Sequence, residues 1–289
     1  MLSRILCGLL LLIAVPSPIG LGGVSGHIKT ADALFDRWGN DFSLADYQEQ
    51  LEGAIAVYKE ALALVPAEDI QTHSYLLNRL AQCHFELGHA YLTARDKQEA
   101  TFALGKDYAL ASLRLDPGFR KAEKEGLRTA LRSANDVSAL FWYGNNLGRY
   151  LESHMFTAIT GGMNDVLASF TRATELDETY LGGGPWRALG SFLAQVPVFL
   201  GGDLQRAEAA FERAIELGPD FLENYVDYAE YCAKAKREWE SFCRELATVL
   251  ELTQDSTVMD RWPLYNKLAL VRAKELVRLE IHGTPVCNQ

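Results

Sequence analysis

Apolar residues recur at i, i+3, i+4 and i+7 along almost the whole chain, and no run of strict alternation bounded by turn residues competes with them. That period predicts an all-α fold. The stronger helical spans are Leu44 to Val65, His73 to Thr93, Lys97 to Leu115, Asp136 to Ser153, Asn164 to Leu176, Trp186 to Val196, Asp203 to Leu217, Phe221 to Lys234, Glu238 to Leu252 and Val258 to Ile281. Most are joined by short loops, which favours antiparallel helix pairs. Asp203 and Asp220 stand where an N-cap belongs, each just before a periodic segment, and Pro66, Pro117 and Pro219 each follow one.

Within these spans, small and large residues repeat in a fixed order. Ala207-x3-Phe211-x2-Ala214-x4-Pro219 and Ala54-x3-Tyr58-x2-Ala61-x4-Pro66 share one spacing, that of the second helix of a tetratricopeptide repeat. Trp186-x2-Leu189-Gly190-x2-Leu193 and His84-x2-Leu87-Gly88-x2-Tyr91 follow the first-helix pattern, and Leu147-Gly148-x2-Leu151 is a weaker third copy. Gly88, Gly190, Ala54 and Ala207 would let paired helices approach, Tyr58, Tyr91 and Phe211 would fill the groove, and proline would stop the second helix. The three glycines lie unequally spaced and farther apart than the usual period of about 34 residues. The expectation is therefore four to five divergent pairs wound into one compact α-superhelical domain over residues 27–289, closed by a long capping helix from Val258 to Ile281.

The first 26 residues read as an address. Arg4 precedes the unbroken apolar stretch Ile5 to Val15, and PSPIGLGGVSG follows with small residues at Val24 and Gly26, the layout of a cleaved secretory signal peptide. An uncleaved anchor needs about 20 apolar residues, and extending the stretch imports Pro16 and Pro18, so anchoring is the less favoured reading. Cys7 comes before most of the apolar run and is not placed for acylation. The mature chain, His27 to Gln289, is expected outside the cytoplasm, in a periplasm. With 28 Lys and Arg against 38 Asp and Glu, a net charge of −10, the chain lacks the basic surplus that nucleic acid rewards, and no nucleic-acid partner is expected.

Cys83, Cys232, Cys243 and Cys287 remain after cleavage, too few in a chain of this size for a disulfide-built scaffold. Cys232 and Cys243 fall on the two helices of the last pair, where either a disulfide or two packed thiols would serve, while Cys83 and Cys287 read as unpaired. His84 and His89 are five residues apart, which sets their rings about 140° apart on a helix rather than on one face, so no metal site is expected. Leu104-Gly105-Lys106-Asp107 lacks the upstream glycine and the Ser or Thr of a phosphate loop, and no G-x-S-x-G occurs. No catalytic residues and no cofactor are implied; a base, nucleophile and orienting group do not come together in the sequence.

Two stretches are unusual. In Asp177 to Asp203, glycine clusters at Gly182 to Gly184 and Gly201 to Gly202 bracket a segment carrying Trp186, Arg187, Phe192 and Phe199. Loop conformation and core packing explain it, or else backbone and Arg187 meet a ligand, Arg187 an anionic group. In Leu140 to Gly148, Asn145 and Asn146 interrupt an aromatic helix, either as hydrogen bonds between helices or as polar groups in a cavity. Trp142, Tyr143, Asn146, Tyr180, Gly183, Trp186 and Arg187 are the candidate ligand residues.

Ala139-Leu140-Phe141-Trp142, Ala173-Thr174-Glu175-Leu176-Asp177, Gly182-Gly183-Gly184-Pro185 with Leu189-Gly190, Pro197, Gly201-Gly202-Asp203 and Phe211-x2-Ala214 occur in that order. So do Tyr225-x3-Ala229-x-Tyr231, Phe242-x3-Leu246 and Leu264-Tyr265-Asn266-x2-Ala269-x2-Arg272-Ala273. This ordered set resembles the TatT family, the tetratricopeptide-like T components of some tripartite ATP-independent periplasmic (TRAP) transporters. The resemblance is best from Asp136 to Val277. It implies a non-enzymatic periplasmic scaffold that engages the transporter's solute-binding protein, a homotrimer with a channel through each protomer, and a hydrophobic small molecule as cargo. Family members are typically lipoproteins, a tether this sequence does not provide, and Asn145 and Asn146 stand where small or apolar residues are expected. The alternative reading keeps the fold without the transporter: a tetratricopeptide interaction module for cell-envelope assembly.

Overall fold

The computed structural model describes residues 23–36, 43–281 and 283–287. The expected leader therefore lies mostly outside the described residues; Gly23 to Gly26 form the first turn of a helix. The chain runs as α1 (Gly23–Phe35), α2 (Leu44–Leu64), α3 (Ile70–Glu86), α4 (Arg95–Leu113), α5 (Pro117–Glu123), α6 (Leu127–Ser133), α7 (Val137–Leu151) and α8 (Met155–Thr157). There follow α9 (Met163–Leu176), α10 (Tyr180–Gln195), α11 (Leu204–Leu217), α12 (Glu223–Asp227), α13 (Lys234–Lys236), α14 (Trp239–Leu252), α15 (Ser256–Arg261) and α16 (Pro263–Leu276). A two-stranded antiparallel ribbon, β1 (Glu280–Ile281) with β2 (Thr284–Pro285), ends it. The fold is all-α, built of divergent tetratricopeptide-like helix pairs: α1 packs on α2, α3 on α4, α7 on α9 and α10 on α11.

Side-chain caps start these helices where short acceptors precede the apolar period. Asp69, Asp136 and Asp203 accept from the backbone N–H of Thr72, Ala139 and Gln205 at 3.0, 2.9 and 3.0 Å. Asp220, expected as a cap, is not one: its carboxylate pairs with Arg261 at 2.7 Å and α12 begins only at Glu223. Helices α5 and α6 fill the stretch after Pro117, where seven-residue segments are too short to show a period.

The small–large pattern works at two of its three glycines. A Cβ on Gly88 would lie 2.7 Å from the Phe102 ring and one on Gly190 would lie 3.1 Å from Phe211, so both are close-approach points between helices. Gly148 differs. A Cβ there meets nothing within 4 Å, because the residue faces a cavity rather than a partner helix.

Two expectations at the C-terminal end change. The long capping helix is broken at Trp262, where φ −136° and ψ 59° precede Pro263, since a residue before proline is pushed out of the α region. The disulfide joins Cys243 to Cys287, with Cα atoms 5.5 Å apart, and not Cys232 to Cys243. The buried Cys232 faces the opposite way, 3.7 Å from the Leu204 carbonyl on α11, whereas the terminal ribbon folds back and carries Cys287 to α14.

Helix α16 closes the superhelix. Leu264 packs in the N-terminal core with Tyr47, Leu51 and Leu80, while Ala269 and Ala273 pack in the C-terminal core with Phe242 and Leu246. Its Tyr265 donates to Glu86 on α3 at 2.6 Å, and Asn266 receives the Leu222 N–H at 2.9 Å. Helix α16 thus meets α2 and α3 near the start of the superhelix, and the space between becomes an interior.

Candidate ligand cavity

That interior is a cavity of about 600 Å³, within the range of about 300–1,000 Å³ common for small-molecule sites. One flank is apolar: Met163, Val166 and Phe170 from α9, Phe192 from α10, and Val196, Phe199 and Leu200 beyond it. Apolar residues continue onto the surface as a rim, with Phe156 and Phe199 each 81% exposed and Val198 84% exposed. Such an exposed apolar cluster marks a place where something docks or enters.

The other flank is polar. Glu86 and His89 reach it from the end of α3, Arg187 from α10, Glu223 and Asp227 from α12, and Tyr265 and Arg272 from α16. Arg187 donates to Asn224 at 3.0 Å, lies 3.6 Å from Asp227 and 4.0 Å from Glu223, and stacks 4.3 Å from the Phe221 ring centre. Arg272 bridges Asp227 at 2.9 Å and Glu230 at 2.5 Å. Burial pushes Glu86 up to about 7, with Tyr265 and Gln82 donating against that shift, and pushes His89 down to about 3, so its imidazole is neutral. Burial also raises Glu223, opposed by Arg187.

Three π-helical turns border this space: Leu87–Tyr91, Ala158–Gly162 and Tyr228–Ala233, contributing His89 and Ala90, Ile159, and Tyr231. The turns at Leu87–Tyr91 and Tyr228–Ala233 widen their helices at the cavity wall, whereas Ala158–Gly162 carries a kink at Gly161, φ +148°, between α8 and α9.

Residues 91–280, most of the cavity wall among them, match the family described as TRAP transporter T-component. The chain belongs to that family. An uncharacterized protein of Treponema pallidum (strain Nichols) is 24% identical over 200 residues, which cover 64% of this chain, and the chain spans 58% of that protein's length. The T-component is also similar to the TPR2AB-domain–pHSP90 complex of yeast Sti1, at 15% identity and a TM-score of 0.30 over 87% of this chain and 98% of that one. A likeness that slight bears no weight here.

Of the residues singled out in the sequence, Trp142 and Arg187 line the cavity of the T-component. Asn146 does not: fully buried, it donates to the Ala81 carbonyl on α3 at 3.1 Å and to Trp142 O at 2.8 Å, a clamp between helices. Its neighbour Asn145 lines the cavity instead. Gly183, at φ +81°, packs where a Cβ would lie 2.7 Å from Ala214 O, so the glycine cluster serves backbone packing rather than a ligand. Asn224 holds that packing, its Nδ2 2.9 Å from the carbonyls of Gly182, Ala214 and Gly218. Trp186 points away and donates to Glu178 at 3.1 Å, and Tyr143 is buried outside the cavity. Tyr180 accepts from Trp142 Nε1 at 3.1 Å and lines a second, separate pocket with Arg79 and Asp136. Glu86, His89, Glu223, Asp227 and Arg272 were not legible as site residues. Polar positions on the inner face of an apolar helix are a usable signal, but only closure by α16 brings these five together.

Proposed function

We propose that the chain is an exported, non-enzymatic T-component that holds a hydrophobic small molecule in the α3–α16 cavity and engages the periplasmic solute-binding protein of a TRAP transporter. The observation that carries this reading is the cavity itself, apolar on one flank, with walls that come mainly from the family-matched residues 91–280. The exposed rim of Met155, Phe156, Ile159, Val198 and Phe199 leads into it, so a partner covering the rim would receive or deliver cargo without passing it through water. The Cys243–Cys287 disulfide supports an oxidising compartment, in keeping with the leader expected over residues 1–26 and with a mature single-domain chain from residue 27.

Native mass spectrometry of the mature protein, alone and mixed with the solute-binding protein encoded nearest to its gene, tests the proposal. The expected result is a defined homo-oligomer, a trimer by the family resemblance, that captures the partner. A monomer that ignores it would contradict the transporter role and favour the envelope-assembly module.

A further inference from the structure

We propose that the cavity selects an amphiphile whose head group donates a hydrogen bond and carries no negative charge, with Glu86 Oε2 as its acceptor. The proposal rests on the reading above that the cavity holds a hydrophobic molecule, and adds the chemistry of its polar end. Glu86 lines the cavity, is 3% exposed, and uses only one of its oxygens. Oε1 accepts from Tyr265 Oη at 2.6 Å and from Gln82 Nε2 at 2.8 Å, while Oε2 is buried with no protein donor in reach. A buried acceptor without a donor costs about 1–3 kcal/mol, more when charged, and a ligand that supplies the donor recovers that cost on binding. His89 Nδ1, in the same wall, is likewise buried without a partner, and its neutral ring can accept as well.

The cations of the wall do not invite an anionic head. Arg187 faces Asp227 and Glu223, Arg272 faces Asp227 and Glu230, and Arg149 donates through Nη1 to Glu152 at 2.8 Å. Among the described residues, Arg149 Nε is the one buried guanidinium donor without a hydrogen-bond partner. A carboxylate head in this cavity would share it with the carboxyl groups of Glu86, Glu152, Glu223 and Asp227, all in its wall. A hydroxyl or amino head meets Glu86 without that repulsion, and its tail lies along Met163, Phe170 and Phe192.

Calorimetric titration of the intact protein at pH 8, where Glu86 is ionised and Oε2 accepts, with dodecanol, dodecylamine and dodecanoate, each below its solubility or micellar limit, decides the matter. The alcohol and the amine are expected to bind at least tenfold tighter than the carboxylate. Glu86→Gln keeps the Oε1 acceptor and replaces Oε2 with an amide donor, and is expected to abolish the gap between amine and carboxylate. Gly148→Leu, which fills cavity space where a Cβ meets nothing within 4 Å, is expected to lose all three ligands and so excludes adsorption on the exposed rim. Dodecanoate binding to the parent protein as tightly as dodecylamine would overturn the head-group proposal and leave the cavity reading intact, and it does so even if the Gln variant fails to fold. Binding of none of the three would overturn both.

Discussion

Glu86 is the residue on which stability and binding meet. Its ordinary value near 4.5 is raised to about 7 in the fold, so the folded chain holds this proton over a window in which the unfolded chain has released it. Its contribution therefore falls as pH rises from about 4.5 to about 7 and is level above that, a span worth up to about 3 kcal/mol. His84 and His89, lowered to about 4 and about 3 by burial, act in the opposite sense, losing stability as pH falls below about 6.5. The difference between Glu86→Gln and the parent isolates the glutamate: in urea titrations the variant's relative stability should climb with pH to neutrality and then stay flat. A difference independent of pH would contradict a Glu86 carboxyl raised by burial. The Cys pairing was beyond the sequence because four thiols carry no register, and only the fold-back of the terminal ribbon places Cys287 beside Cys243.

At the scale of elements, identical residues take opposite roles. Gly148 sits mid-helix in α7 against open space, so Gly148→Ala should stabilise by about 0.5–1 kcal/mol through helix propensity alone. Gly183 occupies a left-handed turn at the start of α10 beside Ala214 O, so Gly183→Ala should destabilise by about 2 kcal/mol or more. Thermal melts of the two variants, shifted in opposite directions, check both. Opening the disulfide with Cys287→Ser, which removes a crosslink across 44 residues, should cost about 4 kcal/mol on loop-closure grounds, read as a lower denaturant midpoint that reductant does not lower further. The helices themselves were legible, since a 3.6-residue period over ten or more residues is hard to mistake. Boundaries failed where a single backbone event governs: the kink at Trp262, the left-handed Leu181 to Gly183 that separates Tyr180 from the right-handed part of α10, and the π-turns, which leave no compositional trace.

For the whole molecule, the superhelix and its family follow from the spaced small and large residues and from motif order, whereas the cavity does not. Its wall draws on α3, α7, α9, α10, α12 and α16, and the bond from Tyr265 to Glu86 spans 179 residues, so no local pattern encodes it. Of the candidate residues, Trp142 and Arg187 reach the cavity wall, whereas Asn146 and Tyr180 are held away from it by structural hydrogen bonds. Closure by α16 is also what makes the site a property of the complete fold rather than of one repeat. Among described helices, none is long and apolar enough to cross a membrane. The most direct test of an amphiphile-holding interior is a crystal structure of the protein with dodecanol. The expected density places the hydroxyl within hydrogen-bond distance of Glu86 Oε2 and the tail between Phe170 and Phe192; an alkyl chain lying on the rim at Phe156 and Phe199, with none inside, would contradict it.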